Sequence, residues 1–447
     1  MTNDSSFESK EGRIDAIPAL ILLLLPLLFL PDLGLNVNTA LGTLKISDFI
    51  IVPLTLLMFV TPRREDGIDR NMSGISRLMI IFSWWALIVT LLFPMRYNYS
   101  SNTELYFSIL KLAKLLLYGM FGIFIASILK SDKEWNWFNW SIVVSGFLAG
   151  LNLIAFRLHL VRPDSIVALN EQVYTGNLVS VMLAIIASYV LALLLQKHGS
   201  HRWRLAATTA LVIMAFGMFV SGGRGGWLAM LASLLYISLR QKRRYAVIVA
   251  IVSLGLIIFS YSNLEVFRED INRTIWFEPG YHTGIPGQGT GLMGIDDGSR
   301  LWWWKNEGSK ILDDPIVGRG FFHRGGLSGL RWEGSHNFFV QMFLETGIFG
   351  GSIVMIILLI MWRQSGKSGL GAGGVELPVK AGLIAAMIGG MSGEYFYGGM
   401  GLLTLMLVYA AVGRLPLEPE KSTEVSRDTI NEGSYGHDSA NEGCVIQ

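Results

Sequence analysis

Val173-Tyr-Thr-Gly-Asn-Leu-Val-Ser-Val-Met-Leu-Ala-Ile-Ile-Ala-Ser-Tyr-Val-Leu-Ala-Leu-Leu-Leu195 contains no Asp, Glu, Lys, Arg or His. At about 1.5 Å per residue, such a run crosses the roughly 30 Å hydrocarbon core of a bilayer. Comparable runs recur along the chain, and about twelve spans are expected, at 16–31, 46–60, 78–94, 105–129, 138–156, 173–195, 205–220, 226–239, 245–261, 337–362, 379–394 and 398–413. Composition agrees: 51% of residues are hydrophobic and 16% charged, with a mean hydropathy of +0.46. That leaves too little polar surface for a water-soluble globule of this size. The fold class is an all-α polytopic membrane protein with one long loop carrying short helices.

The connecting loops set the expected orientation. One alternating set carries Arg63, Arg64, Arg70, Arg77, Lys130, Lys133, Lys197, Arg202, Arg204, Arg240, Lys242, Arg243, Arg244, Arg363, Lys367 and Lys380. The other carries only Lys45, Arg96, Arg157, Arg162 and Arg224. The basic set is expected in the cytoplasm. The domain reading is a cytoplasmic segment 1–15, nine spans over 16–261, an outer loop 262–335, three spans over 336–413 and a polar, disordered cytoplasmic tail 414–447. The run from Ala16 lacks a small-residue cleavage pattern and reads as a first span, not a removed signal. The single cysteine, Cys444, excludes an internal disulfide and a cysteine-based metal cluster. No basic run points to nucleic acid.

Candidate chemistry gathers on the outer side. Arg224 lies within Ser221-Gly-Gly-Arg-Gly-Gly226 and is read as a cation in a glycine turn. Flanking glycines leave room for a bulky anion, and a guanidinium binds phosphate bidentately. A snorkelling arginine is the plainer alternative. In the loop, a helix is expected from Ser299 to Leu312, capped by Asp297 or Ser299 and stopped by Asp313-Asp-Pro315. Its apolar stripe would be Leu301, Trp304, Gly308 and Ile311. Arg300 opens it, and the Trp302-Trp-Trp304 cluster suits either a bilayer interface or sugar rings. Arg319 and Arg331 are further loop cations.

His336 precedes a spanning helix for which Ser335 is the expected N-cap. The positive end of that helix favours neutral imidazole, which suits a general base acting on a hydroxyl, although a purely structural histidine fits equally. Glu345 is nine residues further on, about 13 Å along a helix and on the opposite side. It is therefore read as pairing with another helix, with Gly347, Gly350 and Gly351 allowing close approach. Lys111 and Lys114 share a face of the fourth span and either line the route of an anionic lipid or pair with Glu104 or Glu394.

Three stretches together resemble a known group: Ser221-Gly-Gly-Arg-Gly-Gly-Trp-Leu228; Gly298-Ser-Arg300 with Pro315-Ile-Val-Gly-Arg-Gly320; and Ser335-His-Asn-Phe-Phe-Val-Gln-Met-Phe-Leu-Glu-Thr-Gly-Ile-Phe-Gly350. Their order and shared side are similar to the O-antigen ligase and O-antigen polymerase superfamily. Gly223 stands where many members carry serine. The resemblance implies an inner-membrane glycosyltransferase acting at the periplasmic face, with both termini cytoplasmic. It would move a glycan from undecaprenyl diphosphate to an acceptor hydroxyl, with inversion and without a metal, nucleotide sugar or other cofactor. Arg224, Arg300 and Arg319 would hold the diphosphate and His336 would take the proton. Trp303, Trp304 and Asn337 would contact saccharide or the interface, while Glu345, Lys111 and Lys114 stay structural or unassigned. The His-Asn segment leans toward a polysaccharide polymerase. A ligase passing the glycan to lipid A-core is the alternative within the group, and a lipid-linked glycan transporter is the alternative from another class.

Overall fold

A computed structural model describes residues 16–28, 37–39, 42–44, 51, 53–54, 56, 68–97, 102–129, 132–157, 172–196, 199–221, 223–241, 300–321, 337–367, 376–391, 393, 404 and 407. Among them are ten helices: α1 (Ala16–Leu28), α2 (Ile68–Tyr97), α3 (Asn102–Ile128), α4 (Asp132–Arg157), α5 (Gln172–Leu195), α6 (His201–Ser221), α7 (Arg224–Gln241), α8 (Arg300–Ile311), α9 (Phe338–Lys367) and α10 (Glu376–Met391). Five described stretches are long and apolar enough to cross a membrane: Gly74–Leu92, Ser108–Ile128, Asp132–Ala155, His201–Val220 and Phe338–Ser365. The protein is a polytopic membrane protein. The expected span at 245–261, the loop residues 262–299 and the tail 414–447 lie outside the described residues.

One feature departs from the all-α reading. Strands β1 (Val37–Thr39) and β2 (Gly42–Leu44) pair antiparallel, with Val37 opposite Leu44 and Thr39 opposite Gly42. Two residues separate them, the shortest common hairpin link.

The opening run forms the centre. Uniformly apolar, α5 is buried without interruption from Val179 to Val190, as expected of a helix with no polar face. It packs on α7 and α10, while α4 packs closely on α6. Small residues permit that approach. A side chain on Gly217 would lie 3.1 Å from the Gly150 carbonyl, and one on Gly150 would lie 3.1 Å from the Ile213 side chain. Buried polar contacts tie the helices together: the Tyr189 hydroxyl donates to Asn139 Oδ1 at 2.7 Å, and Ser233 donates to the Ala381 carbonyl at 3.0 Å.

Contacts near the helix ends fix how the bundle runs. Arg240, late in α7, pairs with Glu376 at the start of α10 at 3.1 Å, so these helices are antiparallel. Trp362, late in α9, meets the Tyr236 ring edge-on with centroids 5.6 Å apart and lies 5.0 Å from the Lys380 ammonium. Hence α9 ends where α7 ends, and the two helices start at the opposite end. The described basic residues Lys133, Arg202, Arg204, Arg240, Arg363, Lys367 and Lys380 belong to the end where α7 finishes. The opposite end carries Arg96, Arg157 and Arg224 on its spanning helices, and Arg300, Lys310 and Arg319 on α8 and the segment that follows it.

Candidate active site

Arg224 does not sit in a free turn. It is the first residue of α7, reached from α6 through Gly222 and Gly223. The Gly223 carbonyl accepts from Gly226 N at 2.9 Å, Trp227 N at 3.3 Å and Ser180 Oγ at 3.0 Å. Trp227 braces the corner by donating Nε1 to the Met218 carbonyl at 2.9 Å and stacking on Phe219. Gly226 is needed for the close approach to α5, because a Cβ there would overlap Ser180 and lie 2.6 Å from its carbonyl oxygen. The glycines thus let α7 begin against α5, placing Arg224 at the positive end of a helix macrodipole.

The second element is a break in α9. Gly347 has φ +68° and ψ −175°, a conformation open essentially only to glycine. A continuous helix would bond Ile348 N to the Leu344 carbonyl. Instead Ile348 N donates to the Pro315 carbonyl at 2.7 Å, and Leu344 and Glu345 accept from Arg319 N and Gly320 N, both at 2.9 Å. Trp85 of α2 donates Nε1 to the Thr346 carbonyl at 2.8 Å. Ile348 N and the Leu344, Glu345 and Thr346 carbonyls therefore each have a specific partner outside α9, as burial demands. Gly318, at φ +73°, completes the fit because a Cβ on it would lie 2.6 Å from the Glu345 carbonyl carbon. Phe321 N then reaches Thr90 Oγ1 at 3.0 Å, fastening the segment to α2.

Helix α8 follows the expected range closely and packs on α9. Glu307, outside the expected apolar stripe, is buried and paired with Lys310. The chain turns away at Leu312–Val317, where Asp313-Asp-Pro315 was expected to stop it. Arg300 opens α8, although its side chain, like those of Arg224 and Trp303, lies outside the described residues. Trp304 is partly buried, and its Nε1 and the Arg319 Nε have no hydrogen-bond partner among the described residues. Arg319 Nη2 is held by Asp313 at 2.8 Å, with Asp313 Oδ2 on an exposed side chain.

His336 itself is outside the described residues, but the next residue corrects its setting. Asn337, not Ser335, caps α9: its Oδ1 accepts from Phe339 N at 2.9 Å and Val340 N at 3.3 Å, while its carbonyl accepts from Gln341 N. His336 therefore immediately precedes the cap, and Asn337 is a buried capping residue whose Oδ1 is committed to backbone. Glu345 is also buried, and it accepts from Gln341 Nε2 at 2.6 Å within its own helix. Asn337, Gln341 and Glu345 recur every four residues and form one buried polar stripe. On α3, Lys114 lies 5.7 Å from the Tyr118 ring centroid.

These pieces share a layer. At about 1.5 Å per residue, Arg224 stands roughly 18 Å along α7 from Tyr236, and Gly347 roughly 22 Å along α9 from Trp362. The α7 start and the α9 break are thus level, with the 315–320 segment seated in the break. Residues 209–355 match the family model described as O-antigen ligase. The matched stretch runs from within α6 to beyond the Gly347 break, so the similarity takes in Arg224, α8, Arg319, the α9 cap and Glu345. No curated protein matches the chain. Among the described residues, no group of three or more His, Cys, Asp or Glu is assembled.

The break itself was missed in the sequence. Its only signal is Gly347 after the buried polar pair Glu345 and Thr346, and that pattern equally suits a close helix crossing.

Proposed function

We propose that the protein is an inner-membrane glycosyltransferase that moves an undecaprenyl-diphosphate-linked glycan onto an acceptor hydroxyl at the periplasmic face, as a polymerase of O-antigen or exopolysaccharide. The observation that carries this reading is the common end of α7 and α9. Helices bearing Arg224 and following His336 start together, inside the family match and away from the basic end. Lysine and arginine at the opposite end favour a cytoplasmic position for it, which leaves Arg224 and His336 outside with both termini inside.

Diphosphate is already a competent leaving group, so the protein's task is to stabilise charge as the glycosidic bond breaks and to activate the acceptor. Arg224 and Arg300 hold the diphosphate, with Arg319 as a third cation once its pairing with Asp313 is exchanged. The imidazole of His336 accepts the hydroxyl proton, the acceptor oxygen bonds to the anomeric carbon, and the diphosphate departs on its carrier with the former glycosidic electron pair. Attack opposite the leaving group inverts the anomeric centre. None of these steps calls on a metal or another cofactor. Trp303 and Trp304 serve the saccharide or the interface.

The acceptor separates the readings. Purified protein given carrier-linked repeat units, with and without lipid A-core, should build a ladder of longer carrier-linked chains. A core-linked product instead would make it a ligase. Carrier translocation with neither product would make it a transporter.

A further inference from the structure

The turn between α8 and the break carries apolar side chains that the protein leaves uncovered. Leu312 is 77% exposed and Ile316 68%, more than any other large hydrophobic residue among those described. Ile316 sits on Gly347, where its carbonyl would overlap an added Cβ, so it adjoins Ile348 and Phe349, both also exposed. From there the exposed face continues along α9 through Met355, Ile356 and Leu359, at the spacing of one helix side. Phe349 meets Trp85 of α2 with ring centroids 4.7 Å apart, and neighbouring Trp84 is exposed. The turn thus crowns a continuous apolar flank, and a patch of that extent marks an interaction surface.

Depth along α9 says what covers it. The inner limit is marked by Trp362, whose ring meets Lys380, and by the exposed Arg363 beside it, because tryptophan favours the interface and arginine avoids the core. Gly347 stands roughly 22 Å from Trp362 along the helix, short of the roughly 30 Å hydrocarbon thickness, and any tilt sets the break deeper. The break and the turn seated in it therefore lie roughly 8 Å inside the hydrocarbon edge. Irregular backbone survives at such depth only when its polar groups are satisfied within the protein. The amides of residues 312, 313 and 318–321 all donate to protein acceptors, and Pro315 has none to satisfy. The exposed Asp313 carboxylate is paired with Arg319 at 2.8 Å, which lowers the cost of carrying it there.

We propose that residues 312–317 form a membrane-inserted turn whose Leu312 and Ile316, together with Ile348 and Phe349, contact the acyl chains of the leaflet opposite the basic end. Bilayer lipid is the occupant because the face is continuous with the exposed apolar side of α9 and lies below the hydrocarbon edge. On the glycosyltransferase reading, insertion brings α8 and Arg319 down to the diphosphate of a membrane-held donor. The lipid contact itself does not depend on that reading.

The single cysteine of the chain allows clean labelling. With Cys444→Ser as background, a nitroxide is attached at Leu312→Cys or Ile316→Cys in the full-length protein in phosphatidylcholine bilayers. Met355→Cys is the reference on the α9 flank, and native Cys444 in the polar tail is the aqueous reference. At both turn positions molecular oxygen should relax the label strongly and a nickel chelate several-fold less than at Cys444, the pattern expected at Met355. Strong relaxation by the chelate at 312 and 316 would place the turn in water, and protection from both reagents would place it under protein. Either result overturns the proposal. Should a label in the turn prevent folding, Ile348→Cys carries the test: access to oxygen but not to the chelate supports the lipid face, and access to the chelate removes it.

Discussion

Replacing Gly347 with alanine probes the α9 break directly. The backbone conformation at φ +68° and ψ −175° costs a non-glycine residue about 1–3 kcal/mol. A Cβ would also overlap the Ile316 carbonyl and lie 2.8 Å from Val317 N, and these backbone atoms cannot yield as a flexible side chain can. Relief requires the 315–320 segment to leave, which breaks the bonds Ile348 N to Pro315, Arg319 N to Leu344 and Gly320 N to Glu345. At a net value of about 0.5–1.5 kcal/mol each, those three bonds bring the total penalty to about 3–7 kcal/mol. Gly308→Ala is the matched control, because a Cβ there meets nothing within 4 Å and lies in a helix interior, where alanine gains about 1 kcal/mol over glycine. In detergent, Gly347→Ala should lower the melting temperature by about 3–7 °C and expose residues 312–321 to protease, while Gly308→Ala should not lower it. Equal melting temperatures and equal protease resistance for the two variants would refute the claim that Gly347 and this segment lock each other.

Three further outcomes follow from the site. Arg224→Ala and His336→Ala should each reduce glycan transfer by about 100-fold or more without shifting the melting temperature appreciably; near-normal turnover of His336→Ala would remove the imidazole as base. Asn337→Ala should cost about 1 kcal/mol through the lost cap, and Asn337→Asp should recover most of it in a thermal melt. Asp313→Asn should release the Arg319 guanidinium and lower KM for the donor about two- to fivefold, an effect that should vanish in the Arg319→Gln background.

The bundle was legible in its apolar runs because lipid solvation imposes a strong, local requirement on composition. Helix α8 was legible for a different reason: aspartates and a proline stop it in place, and the chain turns at Leu312–Val317 as they require. The cap of α9 was not. Ser335 and Asn337 are both good capping residues, and only the observed bonds to Phe339 N and Val340 N decide between them. Reading Arg224 in a glycine turn placed it outside the span expected to begin at residue 226, although Arg224 opens α7 and Gly226 is small because Ser180 is against it. The break at Gly347 was hidden for the deepest reason. Its stability comes from Pro315, Arg319 and Gly320, about thirty residues upstream, and a local pattern does not encode a partner at that distance.

The exchange of hydrogen bonds at the break has a mechanical corollary. Ile348 N spends its one proton on the Pro315 carbonyl and cannot return to Leu344 while the 315–320 segment is seated, so α9 cannot become a straight rod by degrees. Straightening and ejection of the upstream strap are one event. The amides of Arg319, Gly320 and Ile348 should therefore trade deuterium at a single common rate, and a saccharide that pulls on α8 would transmit its tug across that joint into the bilayer-embedded half of α9.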